Sequence, residues 1–86
     1  TFKGFEFAMA KVKAISGATD KEFRRLQNSA LRLGKTTFFT ASQVAELQLN
    51  LSKLGFNTTE ILQSQESILF VVLVKIQYKQ LDLQMF

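Results

Sequence analysis

The tightest constraint on this chain is a short pattern that occurs three times. Ala18-Thr19-Asp20-Lys21-Glu22-Phe23, Phe39-Thr40-Ala41-Ser42-Gln43-Val44 and Phe56-Asn57-Thr58-Thr59-Glu60-Ile61 share one order. Each has an apolar or small residue, then Thr or Asn, then two residues, then Glu or Gln, then an apolar residue. This is a capping box with a hydrophobic staple. The Thr or Asn side chain accepts a hydrogen bond from an orphan amide of the first turn, and the Glu or Gln side chain reaches back to the cap amide. Phe39 with Val44, and Phe56 with Ile61, are the expected staples, whereas Ala18 is too small to pair strongly with Phe23. Three helix starts within 86 residues leave room only for short helices and sharp corners.

A chain of this length makes one small domain. Nine Phe and a hydrophobic content of 47% are enough to build a core. Proline is absent, so the four glycines are the main punctuation. Helix one is expected over Phe2 to Ser16, with Phe5, Ala8, Val12 and Ile15 as its apolar stripe, Met9 widening it and Gly17 as its left-handed stop. Helix two starts at the Thr19 cap, buries Phe23, Leu26, Ala30 and Leu33, and stops at Gly34. Lys35 to Phe39 reads as a linker in which one of the adjacent Phe38 and Phe39 reaches the core. Helix three runs from about Ala41 to Leu54. Val44, Leu47, Leu51 and Leu54 form its stripe, and Ala45 and Leu49 widen it, which marks a central helix packed by two neighbours. Gly55 stops it, and the Asn57 cap starts helix four.

Beyond Ser67 two periods compete. Ile61, Ile68, Val72 and Ile76, with Leu62, Leu69 and Leu73, continue a helical stripe. Val74, Ile76 and Tyr78 alternate with Lys75, Gln77 and Lys79, which is a strand period. Helix is the preferred continuation, with Leu81 to Phe86 extended or frayed. The expected fold is therefore all-α, a small bundle of about four short helices with capping-box corners. Residues 1–69 form the helical module and 70–86 a divergent tail, helix or extended strand. The first residue is Thr1, which reads as a piece of a longer chain. Lys3, Glu6, Lys11 and Lys13 spread through Phe2 to Ile15, unlike a secretory signal. The longest apolar run, Ile68 to Val74, falls well short of the roughly 20 residues of a spanning helix.

Chemistry is poorly provided for. With neither Cys nor His, the chain has no thiol nucleophile, no thiolate or imidazole metal ligand and no general base near neutrality. Glu6, Asp20, Glu22, Glu46, Glu60, Glu66 and Asp82 show no metal-loop spacing. No enzyme activity, metal or cofactor is expected. Gly34-Lys35-Thr36 resembles the end of a phosphate-binding loop, but Ser29 stands where that motif needs Gly, and a helix precedes it instead of a strand. Helix three, Gly55 and helix four have the outline of a helix-turn-helix. Its second helix would present Glu60, Gln63, Ser64, Gln65 and Glu66 to phosphates, so an ordinary packed corner is the better reading. Net charge is +4. Lys11, Lys13, Lys21, Arg24, Arg25, Arg32 and Lys35, against only Asp20 and Glu22, form a possible anion-binding face on helices one and two. A small helical DNA-binding module using that face is the alternative function. No aromatic residues interleave with these charges, which favours a solvated helix face.

Several segments together resemble a known family. Phe7-Ala8-Met9-Ala10-Lys11-Val12 and Ala14-Ile15-Ser16-Gly17-Ala18-Thr19 are similar to the N-terminal region of bacteriophage tail tape measure proteins. So are Leu33 to Glu46, Leu54-Gly55-Phe56 and Glu60-Ile61-Leu62. The likeness covers Phe5 to about Leu69 in the family's order. After Leu69 the family is richer in Ala, Gly and Ser, whereas this chain has Phe70-Val71-Val72-Leu73-Val74, as in a divergent or truncated prophage remnant. The resemblance implies a structural role. Tape measure proteins are long helical chains in the lumen of a growing tail; they set its length and bind tail tube, tip or chaperone proteins. It implies residence in the virion tail, and in the host bacterial cytoplasm during assembly. Gly17, Thr19, Gly34, Thr40, Gly55 and Glu60 carry over as architecture, as helix caps and stops alongside Glu22, Gln43 and Asn57. Separately, nine Phe and an apolar tail exceed what so short a chain hides, so a homo-oligomer through helix four or the tail is expected.

Overall fold

The structure, a computed structural model, describes residues 2–84, with side-chain surroundings over 4–79. Four helices follow one another: α1 (Phe2–Ser16), α2 (Asp20–Thr36), α3 (Ala41–Lys53) and α4 (Thr58–Gln84). No strand occurs among the described residues. The three corners close as local chemistry dictates. Thr19 Oγ1 accepts from the Glu22 amide at 3.2 Å while Glu22 Oε1 accepts from the Thr19 amide at 2.9 Å. Thr40 and Gln43 make the same reciprocal pair at 3.1 and 2.9 Å, and Asn57 and Glu60 make it at 2.9 Å both ways. Each box satisfies two orphan amides within four residues.

The helix ends differ in mechanism. Gly17 has φ +69° and its amide bonds back to Lys13 O at 3.1 Å. Gly55 has φ +95°; its amide donates to Ser52 O and that of Phe56 to Leu51 O, both at 3.0 Å. That pair of bonds is a Schellman motif, which needs the left-handed residue in the middle. Gly34 does not stop α2, contrary to the expectation from sequence. It lies inside the helix, which runs on to Thr36. Two threonines end it: Thr36 Oγ1 donates to Arg32 O at 3.0 Å and Thr37 Oγ1 to Leu33 O, as Thr37 turns extended. Gly34 is there because α3 begins against it. A Cβ on Gly34 would sit 2.6 Å from the Ala41 nitrogen and 2.9 Å from its Cα.

The core joins Phe5, Ala8, Met9 and Val12 of α1 to Leu26, Ala30 and Leu33 of α2, to Val44, Ala45, Leu49 and Leu51 of α3, and to Ile61 and Leu69 of α4. Helix α3 is central and touches all three others. Its apolar residues therefore occupy more than one side. Two expected core residues are not in it. Ile15 and Leu54 are exposed, each in the last turn or cap of its helix where the chain leaves the bundle. Of the two adjacent aromatics, Phe39 is half-buried against the core and Phe38 is exposed, their rings edge-to-face at 6.0 Å.

Helix α4 continues without a break to Gln84. The helical period therefore prevails over the strand period beyond Ser67, and Leu81 to Gln84 are helical, not extended; Met85 and Phe86 lie outside the described residues. A strand there would have had no partner within the chain, whereas a helix satisfies its own backbone. At 27 residues α4 is about 40 Å long. Only its first half is packed, so the molecule measures 50 × 25 × 19 Å.

Candidate protein-contact surface

After Thr58 in its first turn, the buried residues of α4 recur every four positions, at Ile61, Gln65 and Leu69. The middle one is polar. The sequence reading puts Gln65 at an exposed position of the second helix; instead it is closed off from solvent, because its place in the Ile61–Leu69 stripe turns it towards α3. There Gln48 Nε2 donates to Gln65 Oε1 at 2.9 Å, and also to Ser29 Oγ at 3.2 Å and Leu26 O at 3.1 Å. Two N–H groups serve three acceptors, so one is shared. Ser29 Oγ donates to Leu26 O at 2.8 Å. Gln48 Oε1 has no partner among the described residues. This polar cluster joins α2, α3 and α4, and the exposed Arg32–Glu66 ion pair at 2.9 Å makes a second link between α2 and α4.

Past Leu69 the helix leaves the bundle, and its large apolar side chains meet solvent. Phe70 is 66% exposed and Tyr78 68%, with Val71, Val72, Val74 and Ile76 exposed between them. Where α4 departs, a groove of about 490 Å³ opens, walled by Leu33, Phe39, Leu69, Phe70 and Leu73. So many exposed large apolar side chains within nine residues of one helix are uncommon on a monomer.

The basic residues are arranged differently. Lys21, Arg24, Arg25, Arg32 and Lys35 fall on one outward side of α2 by their three- and four-residue spacing, and all are exposed. Lys11 and Lys13 stand on α1. Lys13 is occupied by Asp20 at 2.6 Å and also lies 5.2 Å from the Phe23 ring centroid; Lys11 lies 4.3 Å from that of Phe7. The Lys13 hydrogen bond, aided by the charges of Lys13 and Arg24, holds the Asp20 carboxyl below its ordinary value. The seven cations are thus not one unopposed set, since Lys13 and Arg32 are each paired within the chain. Among the described residues no group of three carboxylates gathers as a metal site would require, and no helix is long and apolar enough to cross a membrane.

The described residues form an all-helical bundle from which the distal half of α4 projects with large apolar side chains exposed. Comparison with known proteins makes this more specific. The chain is 37% identical over 65 residues to the tape measure protein of Pneumococcus phage Dp-1. The match takes in 76% of this chain but only 6% of that protein's length. No family model matches the chain, and no solved structure does. This is a tape-measure-like chain, in keeping with the resemblance carried by its capped corners and central helix.

Proposed function

We propose that the chain is a structural element of a phage tail, acting through protein–protein contacts and without catalysis. The observation that carries this reading is its 37% identity to a phage tape measure protein. The exposed apolar half of α4 supports it, because a contact module needs such a surface and a freestanding one does not. The lack of His and Cys agrees with a role in which no bond is made or broken. In this reading the bundle contributes to tail assembly and length determination. Its partners are tail tube, tip or chaperone proteins, and it passes from the host cytoplasm into the virion tail. The DNA-binding alternative would use the outward side of α2. It has the weaker support, since Arg32 is already paired with Glu66 and the strip carries no stacking aromatic. Mass spectrometry of purified tailed particles from a phage or prophage that encodes the sequence tests the proposal. Peptides of this chain are expected in the tail fraction; their absence from assembled tails and from tail-assembly complexes alike would overturn it.

A further inference from the structure

We propose that the outward side of α2 docks an acidic helix of another protein, whose carboxylates meet Lys21, Arg24, Arg25 and Lys35 in a row. The inference rests on this one helix and stands whether or not the chain belongs to a tail. Lys21, Arg25, Asn28, Arg32 and Lys35 follow one another at steps of four, three, four and three. That is the spacing of a seam along which two helices lie side by side. Arg24 stands at its edge, so the five cations fall within an arc of about 100° and run for about 21 Å. All five are exposed. Among the described residues, Lys21, Arg24, Arg25 and Lys35 make no ion pair.

The row already contains one contact of this kind. Arg32 holds Glu66 of α4 at 2.9 Å, a carboxylate carried on a neighbouring helix. A second copy of the chain is a poor occupant. No two of its seven carboxylates stand three or four residues apart, so none of its own helices carries a matching row.

Two features select a protein helix over a nucleic acid duplex. The row is one helix wide and is edged with negative charge. Asp20 and Glu22 lie in the first turn of α2, each about 100° from Lys21 and on opposite sides of it, and Glu66 lies beside Arg32. A helix about 10–12 Å across fits between these edges, whereas the broader phosphate surface of a duplex overlaps them and is repelled. The start of α2 carries Asp20 and the Glu22 carboxylate of its capping box, so it disfavours the phosphate that a helix start otherwise attracts. The second feature is apolar. Leu31 is exposed and lines a shallow depression of about 340 Å³ with Asn28, Arg32, Lys35 and Thr36. An apolar spot within a polar and charged surround suits a protein side chain and offers nothing to a phosphate.

Exposed ion pairs each add little, so the affinity is weak, on the order of 0.1 mM at low salt. Fluorescence anisotropy of a labelled synthetic helix on the whole chain tests it. The peptide has about 18 residues, with Glu at steps of four and three, one central Leu, and Ala and Gln elsewhere. A control peptide has the same composition with its Glu spread around the helix. The clustered peptide is expected to bind about tenfold more tightly than the control, and to be released between about 50 and 500 mM salt. Arg25→Ala/Lys35→Ala should weaken binding about tenfold. Lys11→Ala/Lys53→Ala removes the same net charge from α1 and α3 and should change binding by less than about twofold. Leu31→Ser should weaken it several-fold. A short DNA duplex should be weakened equally by the two double variants. All substituted side chains are exposed, so helicity should be unchanged. The proposal is overturned by a chain that does not bind the clustered peptide, by equal binding of the two peptides, or by equal losses in the two double variants. Selective loss of duplex binding in Arg25→Ala/Lys35→Ala also overturns it and assigns the row to nucleic acid.

Discussion

Gln48 of α3 donates to Gln65 of α4 at 2.9 Å, and neither side chain is accessible to solvent. On α4 the apolar core residues Ile61 and Leu69 lie one turn to either side of Gln65. The bond fixes the register at which α4 leaves the bundle. A one-turn slip of α4 would leave the Gln65 amide buried without this partner and would take one of the three acceptors from Gln48, which keeps Leu26 O and Ser29 Oγ on α2.

Replacing one member should therefore be worse than replacing both. Gln65→Leu strips an acceptor from a buried N–H and is expected to cost about 1–3 kcal/mol. Gln48→Leu/Gln65→Leu should recover part of that loss, because two apolar groups of similar size fill the space. Urea unfolding followed by circular dichroism measures both, and the double-mutant cycle gives the coupling.

Gly34→Ala distinguishes a helix stop from a close approach. In an unobstructed helix interior this change stabilises by about 1 kcal/mol. Here the new Cβ would meet the Ala41 backbone at 2.6 Å. We expect destabilisation by about 1–3 kcal/mol, as for overpacking elsewhere, and a midpoint several degrees lower in a thermal melt.

Gly55 makes the opposite case, because nothing lies within 4 Å of its missing Cβ. Its φ of +95° alone sets the penalty. Gly55→Ala should cost about 1–2 kcal/mol, as expected for a left-handed L-residue, and Gly55→Asn should cost less because Asn tolerates that region better. Thermal melts of the two variants side by side decide it.

Lys13→Ala should raise the Asp20 pKa towards its ordinary value of 3.8. Asp20 is depressed in the folded chain, so its pairing contributes above the ordinary carboxylate value and is lost as pH falls through the lowered one. The pair is exposed, so its effect on stability should be small and screened by salt. Carboxyl NMR titration of Asp20 reads the shift without requiring a measurable change in stability.

What the sequence makes legible follows the reach of each interaction. The three helix starts can be read because a capping box closes within four residues, whatever the rest of the chain does. The Gly17 and Gly55 turns can be read for the same reason. Gly34 cannot, since its reason lies in Ala41, seven residues on and in another helix. Gln65 is misplaced by sequence because a polar residue in an amphipathic helix is taken as outward unless a partner is known, and its partner Gln48 is seventeen residues away. The end of α4 carries two periods at once, and only the absence of a pairing strand settles them. The exposed apolar surface of α4 is partly visible in the sequence as an apolar run. Its location past Leu69 requires knowing where α4 leaves the bundle.

The most direct test of a structural role in a phage tail is a segment exchange. The 65-residue segment matched in the Dp-1 tape measure protein is deleted, or replaced by the corresponding part of this chain. Tails are then imaged by electron microscopy. The account predicts that deletion abolishes normal tails and that this chain restores them, whereas a Gln65→Leu version restores them poorly. Tails of normal number and length after simple deletion would contradict it.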